Sequence, residues 1–118
     1  MSVAGMALLL AAAPAQADAK SDAKWPTKPI RLVVGGPAGG NADALARLVA
    51  EGIRQGTGQP VLVESKAGAA GALAVRDLIS NGHDGHTFLV IQGGIVSETP
   101  LAYKVNFDPF KDLKPLAQ

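Results

Sequence analysis

Hydrophobic and polar positions along this chain change period several times, and each change marks an element. Ile30 to Val34 is a short β-rich run preceded by Pro26 and Pro29. Proline at the first position of a strand costs no ladder bond, so the run reads as a strand. Gly35 to Gly40 is a glycine-rich turn, and Asn41 is placed to cap the helix that follows. Ala42, Leu45, Ala46, Val49 and Ile53 then recur at helical spacing, which predicts one apolar face. Arg47 and Glu51 stand four apart on another face, the spacing of a helical ion pair. Gly56 and Gly58 end the helix.

Pro60 to Glu64 reads as a second strand, Ser65 to Gly71 as a second Gly/Ala loop, and Ala72 to Ser80 as a second helix. Asn81, Gly82 and Asp84-Gly85 make a turn. Thr87 to Ile91 is a third strand, apolar throughout, as expected of a strand covered on both faces. The order is β-α-β-α-β, with helices long enough to cross over the sheet. The predicted fold class is α/β, with a doubly wound, mostly parallel sheet. Beyond Gly94 the pattern is less regular. Ser97 to Tyr103 has room for a short helical turn, and Asp108-Pro109 reads as an N-cap with proline at the first helical position, predicting a short helix to Leu113.

Composition narrows the class. The chain has 118 residues, enough for one modest core. It has no cysteine, which excludes a disulfide framework, a thiolate zinc site, a cysteine nucleophile and a lipid anchor on cysteine. A net charge of +1 argues against nucleic-acid binding, which needs a basic face. The first charged side chain is Asp18. Before it, Val3 to Ala13 is a run of small apolar residues, Pro14 breaks the run, and Ala15-Gln16-Ala17 has the form of a signal-peptidase site. Residues 1–17 therefore read as an export signal cut after Ala17, although no Lys or Arg precedes the apolar run. Residues 18–24 read as a disordered mature terminus.

The candidate chemistry lies in three segments, Gly35 to Asn41, Ser65 to Ala72 and Gln92 to Ser97, each following the carboxyl end of a strand. Ligands bind at that edge of an open α/β sheet. Two of the loops lead into helix N-termini, where unpaired N–H groups and the helix dipole favour an anion. A carboxylate or phosphate is the physical default, and a tight strand-to-helix turn is the plain alternative. Nucleotide motifs fail: Gly35 to Gly40 has P-loop glycine spacing, but Asn41 stands where lysine is required, and Pro37 breaks G-x-G-x-x-G. Asp43, in the first helical turn, reads as a capping carboxylate, as an orderer of the loop, or as a partner for an ammonium group. His83 and His86 flank Asp84 at the amino end of the third strand, away from the binding edge, which makes a poor metal site. Ser65, Ser97 and Thr99 lack His/Asp partners for nucleophilic catalysis. Trp25, Phe88, Phe107 and Phe110 read as packing residues.

Taken as a series, Trp25 to Val34, Pro37-Ala38-Gly39-Gly40 with Asp43, Leu45-Ala46-Arg47, Gly58 to Val61, Val63-Glu64, Gly68-Ala69, Asp84-Gly85 with Thr87, Pro100-Leu101, Tyr103-Lys104, Phe107-Asp108-Pro109 and Lys111-Asp112 resemble the tripartite tricarboxylate transporter substrate-binding proteins, also called the Bug family of extracytoplasmic solute receptors. The resemblance runs from residue 25 to the end. It implies a periplasmic, type II-like binding protein of two α/β lobes. Such a receptor is not an enzyme, carries no cofactor or metal, captures a small organic carboxylate and hands it to membrane permease subunits. By similarity the ligand would meet Gly36, Ala38, Gly39, Gly40 and Asp43 in the first segment. It would meet Gly68, Ala70, Gly71 and Ala72 in the second, and Gln92 and Gly93 in the third. Three positions depart from the family pattern: Gly36 replaces an aromatic residue, Ala72 an asparagine, and Gln92-Gly93-Gly94 a Thr/Ser/Asn-rich stretch. Residues 25–118 correspond to part of lobe one, with the second lobe absent. The expectation is a marginally stable chain that binds carboxylates weakly or not at all. A decayed gene product and a nucleotide- or anion-binding α/β enzyme or regulatory domain are the competing readings.

Overall fold

A computed structural model describes residues 24–117; the expected export segment and most of the expected disordered terminus lie outside the described residues. The order is β1 (Ile30–Val34), α1 (Asn41–Thr57), β2 (Val61–Ser65), a 3-10 turn (Ala69–Gly71), α2 (Ala72–Asn81), β3 (Thr87–Val90), α3 (Gly93–Ser97), α4 (Thr99–Ala102) and α5 (Pro109–Asp112). The three strands form one parallel sheet in the order β2-β1-β3. The first crossover runs from β1 out to β2 and the second returns from β2 past β1 to β3, which makes the carboxyl end of the sheet beside β1 a topological switch point. This is the expected α/β class, compatible with an incomplete lobe of the type II-like binding fold.

Strand alternation builds two cores. Ile30 and Leu32 face α1, where they pack with Ala50, Ile53, Val61, Val63 and Phe88. On the other face Ala72 and Val75 of α2 pack with Phe107, Ile79, Leu89, Ile95, Val105 and Leu113. Arg31 sits on this second face. Its guanidinium holds Glu64 of β2 (Nε to Oε2, 2.7 Å) and Asp77 of α2 (2.7 Å), tying the central strand to a neighbour and to the covering helix. The bond to Glu64 is the main reason its proton is held more tightly than in a free arginine.

Helix α1 is rotated from the expected face. Asp43, Ala46 and Ala50 are buried and Ile53 half-buried, whereas Leu45, Leu48 and Val49 are 55, 71 and 42% exposed. Small Ala46 and Ala50 let the helix lie close on the sheet, and the Asp43 carboxylate turns inward to bond Ser65. Arg47 accordingly reaches back to Asp43 instead of forward to Glu51, which pairs with Arg54. Gly40, rather than Asn41, is the N-cap. β3 is only half-buried beyond Thr87, because it is an edge strand. Phe107 is buried, but Phe110 on α5 is 85% exposed and packs little.

At the amino edge of the sheet a clasp closes the N-terminal segment onto the Asp84-Gly85 turn. Trp25 Nε1 donates to the Gly85 carbonyl (3.1 Å), the Thr27 amide donates to His86 Nε2 (3.1 Å), and Lys28 pairs with Asp84 (2.7 Å). The Trp25 ring packs on His86 and edge-on to Phe88. With Nδ1 2.9 Å from the Asp84 carbonyl, both ring nitrogens of buried His86 serve structure.

Candidate functional site

The pairing register sets where the three loops leave the sheet. Val34 is paired with both Ser65 and Val90. The ladder continues one bond further on each side, Lys66 N to Val34 O (2.9 Å) and Gly35 N to Val90 O (3.0 Å). Residues 35–40, 66–71 and 91–92 therefore depart at one level, around the switch point. They enclose a depression of about 560 Å³. Gly35 is where the first and third loops touch: a Cβ there would stand 2.5 Å from Ile91 Cγ2, so only glycine lets the chain pass.

The first loop is held from behind. Asp43 is 3% exposed. Its Oδ2 accepts from the Gly39 amide (2.9 Å) and from Arg47 Nε (3.0 Å), and its Oδ1 from Ser65 Oγ (3.1 Å). The bond from Arg47, then that from Gly39, holds this carboxyl below its usual range despite burial. One ionised side chain thus joins the first loop, α1 and the end of β2. Its negative charge also sits at the positive end of α1. The first intrahelical bond of α1 is Ala44 N to Gly40 O (3.0 Å), so the amides of Asn41 and Ala42 have no helical partner. Gly40, Asn41 and Ala42 all line the depression.

The second loop is strained. Ala69 (φ 47°) and Ala70 (φ 51°) both occupy the left-handed region, as does Gly71 (φ 87°). For alanine this costs about 1–2 kcal/mol per residue. The loop is fixed by Gly71 N to Gly68 O (3.0 Å) and by Thr99 Oγ1 donating to the Ala70 carbonyl (3.1 Å). Thr99 is the buried anchor of α4, so α4 and the second loop form one wall.

Six of the expected ligand residues line the depression together: Gly36, Gly40, Gly68, Ala70, Gly71 and Gln92. Ala38 and Gly39 are exposed in the first loop outside the lining, and Gly93 stands exposed beside it at the start of α3. Asp43 lies behind the loop, its oxygens already bonded, and Ala72 is 1% exposed inside the α2 core. Ile95 falls within the expected third segment, but sequence reasoning missed the rest of that wall, Glu98, Thr99, Ala102 and Tyr103. Those residues belong to a helix of four residues and the positions flanking it, too short to show a period. No described helix is long and apolar enough to cross a membrane.

A parallel α/β layer whose glycine loops converge at a switch point has the architecture of an open, doubly wound α/β domain, with a depression at the edge where such sheets take ligands. Comparison with known proteins gives the family. Residues 45–118 match the tripartite tricarboxylate transporter family receptor. The chain is 42% identical over 113 residues to the UPF0065 protein in gbd 5'region of Cupriavidus necator, covering 96% of this chain and 33% of that protein. It is 33% identical over 112 residues to Protein BugT of Bordetella pertussis, covering 90% and 32%. It is also 33% identical over 115 residues to the UPF0065 protein in tcbD-tcbE intergenic region of a Pseudomonas species, covering 97% and 33%. The chain belongs to the tripartite tricarboxylate transporter receptor family. It spans about a third of the length of the curated relatives it matches.

Proposed function

We propose that this chain is the amino-terminal lobe portion of a periplasmic solute receptor. It captures a small organic carboxylate for the membrane permease subunits of a tripartite tricarboxylate-type transporter, and it binds its ligand without transforming it. The reading rests on family membership and, above all, on the convergence of three glycine-rich loops on one depression. Amides of Asn41 and Ala42 at the start of α1 receive one carboxylate, while the Gly40 amide is held by the Pro37 carbonyl (3.1 Å). Gly36 lets the ligand approach the backbone, while Gly68 and Gly71 give their side-chain space to Leu73 and Ile95 and so draw the wall together. Gln92 offers a neutral amide that serves as donor or acceptor. Asp43 acts through the loop it holds, without touching the ligand, and Ala38, Gly39 and Gly93 border the site. Export by residues 1–17 belongs to the same reading.

Calorimetric titration of the chain with di- and tricarboxylates, amino acids, aromatic acids and nucleotides tests it. At least one class of small acid is expected to bind weakly, at no better than millimolar affinity, and nucleotides are expected to stay silent. Binding of a nucleotide with no response to any acid would remove the receptor reading.

A further inference from the structure

Among the residues that line the depression, Glu98 carries the one ionised side chain. Among the described residues no arginine or lysine lines it; Lys66 and Lys104 are sequence neighbours of lining residues but lie outside. Glu98 sits at the junction of α3 and α4, exposed, with no hydrogen bond or ion pair to another described side chain. Its side chain turns back over the preceding helical turn. A Cβ built on Gly94 would stand 3.5 Å from its Cδ and Oε2, so the carboxylate lies over Gly94, itself a lining residue.

The depression therefore has two electrostatic characters. The wall at the start of α1 offers N–H donors and suits a carboxylate. The wall at Glu98 carries a carboxylate, with the Tyr103 hydroxyl beside it as a neutral donor or acceptor. A plain dicarboxylate in a space this size would bring a second negative charge toward Glu98, with no cation among the described lining residues to offset it. A ligand with an ammonium group avoids that repulsion and gains a charge-assisted hydrogen bond.

We propose that Glu98 makes this site selective for carboxylic acids that also carry an ammonium group, of the amino-acid class. The inference rests on the carboxylate-receptor reading above and adds a specificity-determining residue to it. The competing role is local, with the Glu98 carboxylate serving only as a dipole partner for the first turn of α3.

The test pairs each amino diacid with its counterpart lacking the amino group: aspartate with succinate, glutamate with glutarate. Each is titrated into the full chain while the amide NMR signals of the glycine loops are followed. The unmodified chain is expected to prefer the amino member by about tenfold. Glu98→Gln should erase the preference, and Glu98→Lys should reverse it. A partner of the α3 dipole alone would lower the melting temperature in both variants and leave the ratio unmoved. Equal binding of both members by the unmodified chain, or a ratio unchanged in both variants, overturns the role of Glu98 and leaves the receptor reading standing. Silence toward all four acids overturns this proposal; silence of the whole acid panel would remove both.

Discussion

Asp43 shows how one side chain decides a local structure. Read in sequence it has three roles, and the geometry selects the ordering one: both oxygens are taken by Gly39, Arg47 and Ser65. Sequence periodicity locates a helix and its apolar residues but not its rotation when Ala and Leu alternate around the wheel. The buried carboxylate fixes that rotation, and for this reason Leu45 and Val49 of the expected face stand outside. Asp43→Ala takes the acceptor away from the Gly39 amide, the Arg47 guanidinium and the Ser65 hydroxyl, and leaves the loop untied from α1 and β2. The melting temperature is expected to fall by several degrees, with amide exchange accelerated at Gly39 and Gly40. Asp43→Asn, which keeps one acceptor, should lie between. An unchanged melting temperature in the alanine variant would show that the carboxylate does not hold the loop. Asp84 gives the pH dependence. Lys28 beside it, and then the His86 amide, hold its carboxyl down to about 2. A depressed carboxyl contributes stability above its unfolded value of about 4, and loses it as pH falls toward about 2. Lys28→Ala should flatten that acid limb of the stability curve. The difference will be small, because both partners are half exposed.

At the scale of elements, the order β-α-β-α-β and the loop positions are legible because glycine and proline punctuate strongly and the helices are long enough to show a period. Each strand lies within a residue or two of its expected bounds. The conformation of the second loop is not legible. Nothing in Gly-Ala-Ala-Gly announces two alanines at positive φ, a geometry imposed by the neighbouring wall through Thr99. Two substitutions separate space from backbone angle. Ala70→Gly relieves about 1–2 kcal/mol of left-handed strain and costs about 0.5–1 kcal/mol in unfolded-state entropy, for a net gain of about 0.5 kcal/mol. Gly71→Ala adds the same angular penalty and places a methyl 2.8 Å from Ile95 Cγ2. It is expected to destabilise by about 2–4 kcal/mol. Urea unfolding midpoints of the two variants should therefore move in opposite directions. Movement in the same direction would contradict the strained-loop account.

For the whole molecule, function follows from register. Because Val34, Ser65 and Val90 end level, three loops of different length and sequence meet around one depression beside the central strand. The sequence reading reached all three loops, the third as far as Gln92 and Gly93. The third wall, with Glu98, was hidden in short helices whose placement depends on packing of Ile95 and Thr99, not on any repeat. The central claim is that this depression is where a small acid binds. The most direct measurement is a map of amide NMR shifts on titration of the chain with the acid that binds best in the panel. The account predicts concentration-dependent shifts concentrated in Gly36 to Ala42, Gly68 to Gly71 and Gln92 to Glu98, with the Trp25–His86 clasp unmoved. Shifts centred on that clasp, or on the exposed Leu45–Leu48 face of α1, would contradict it.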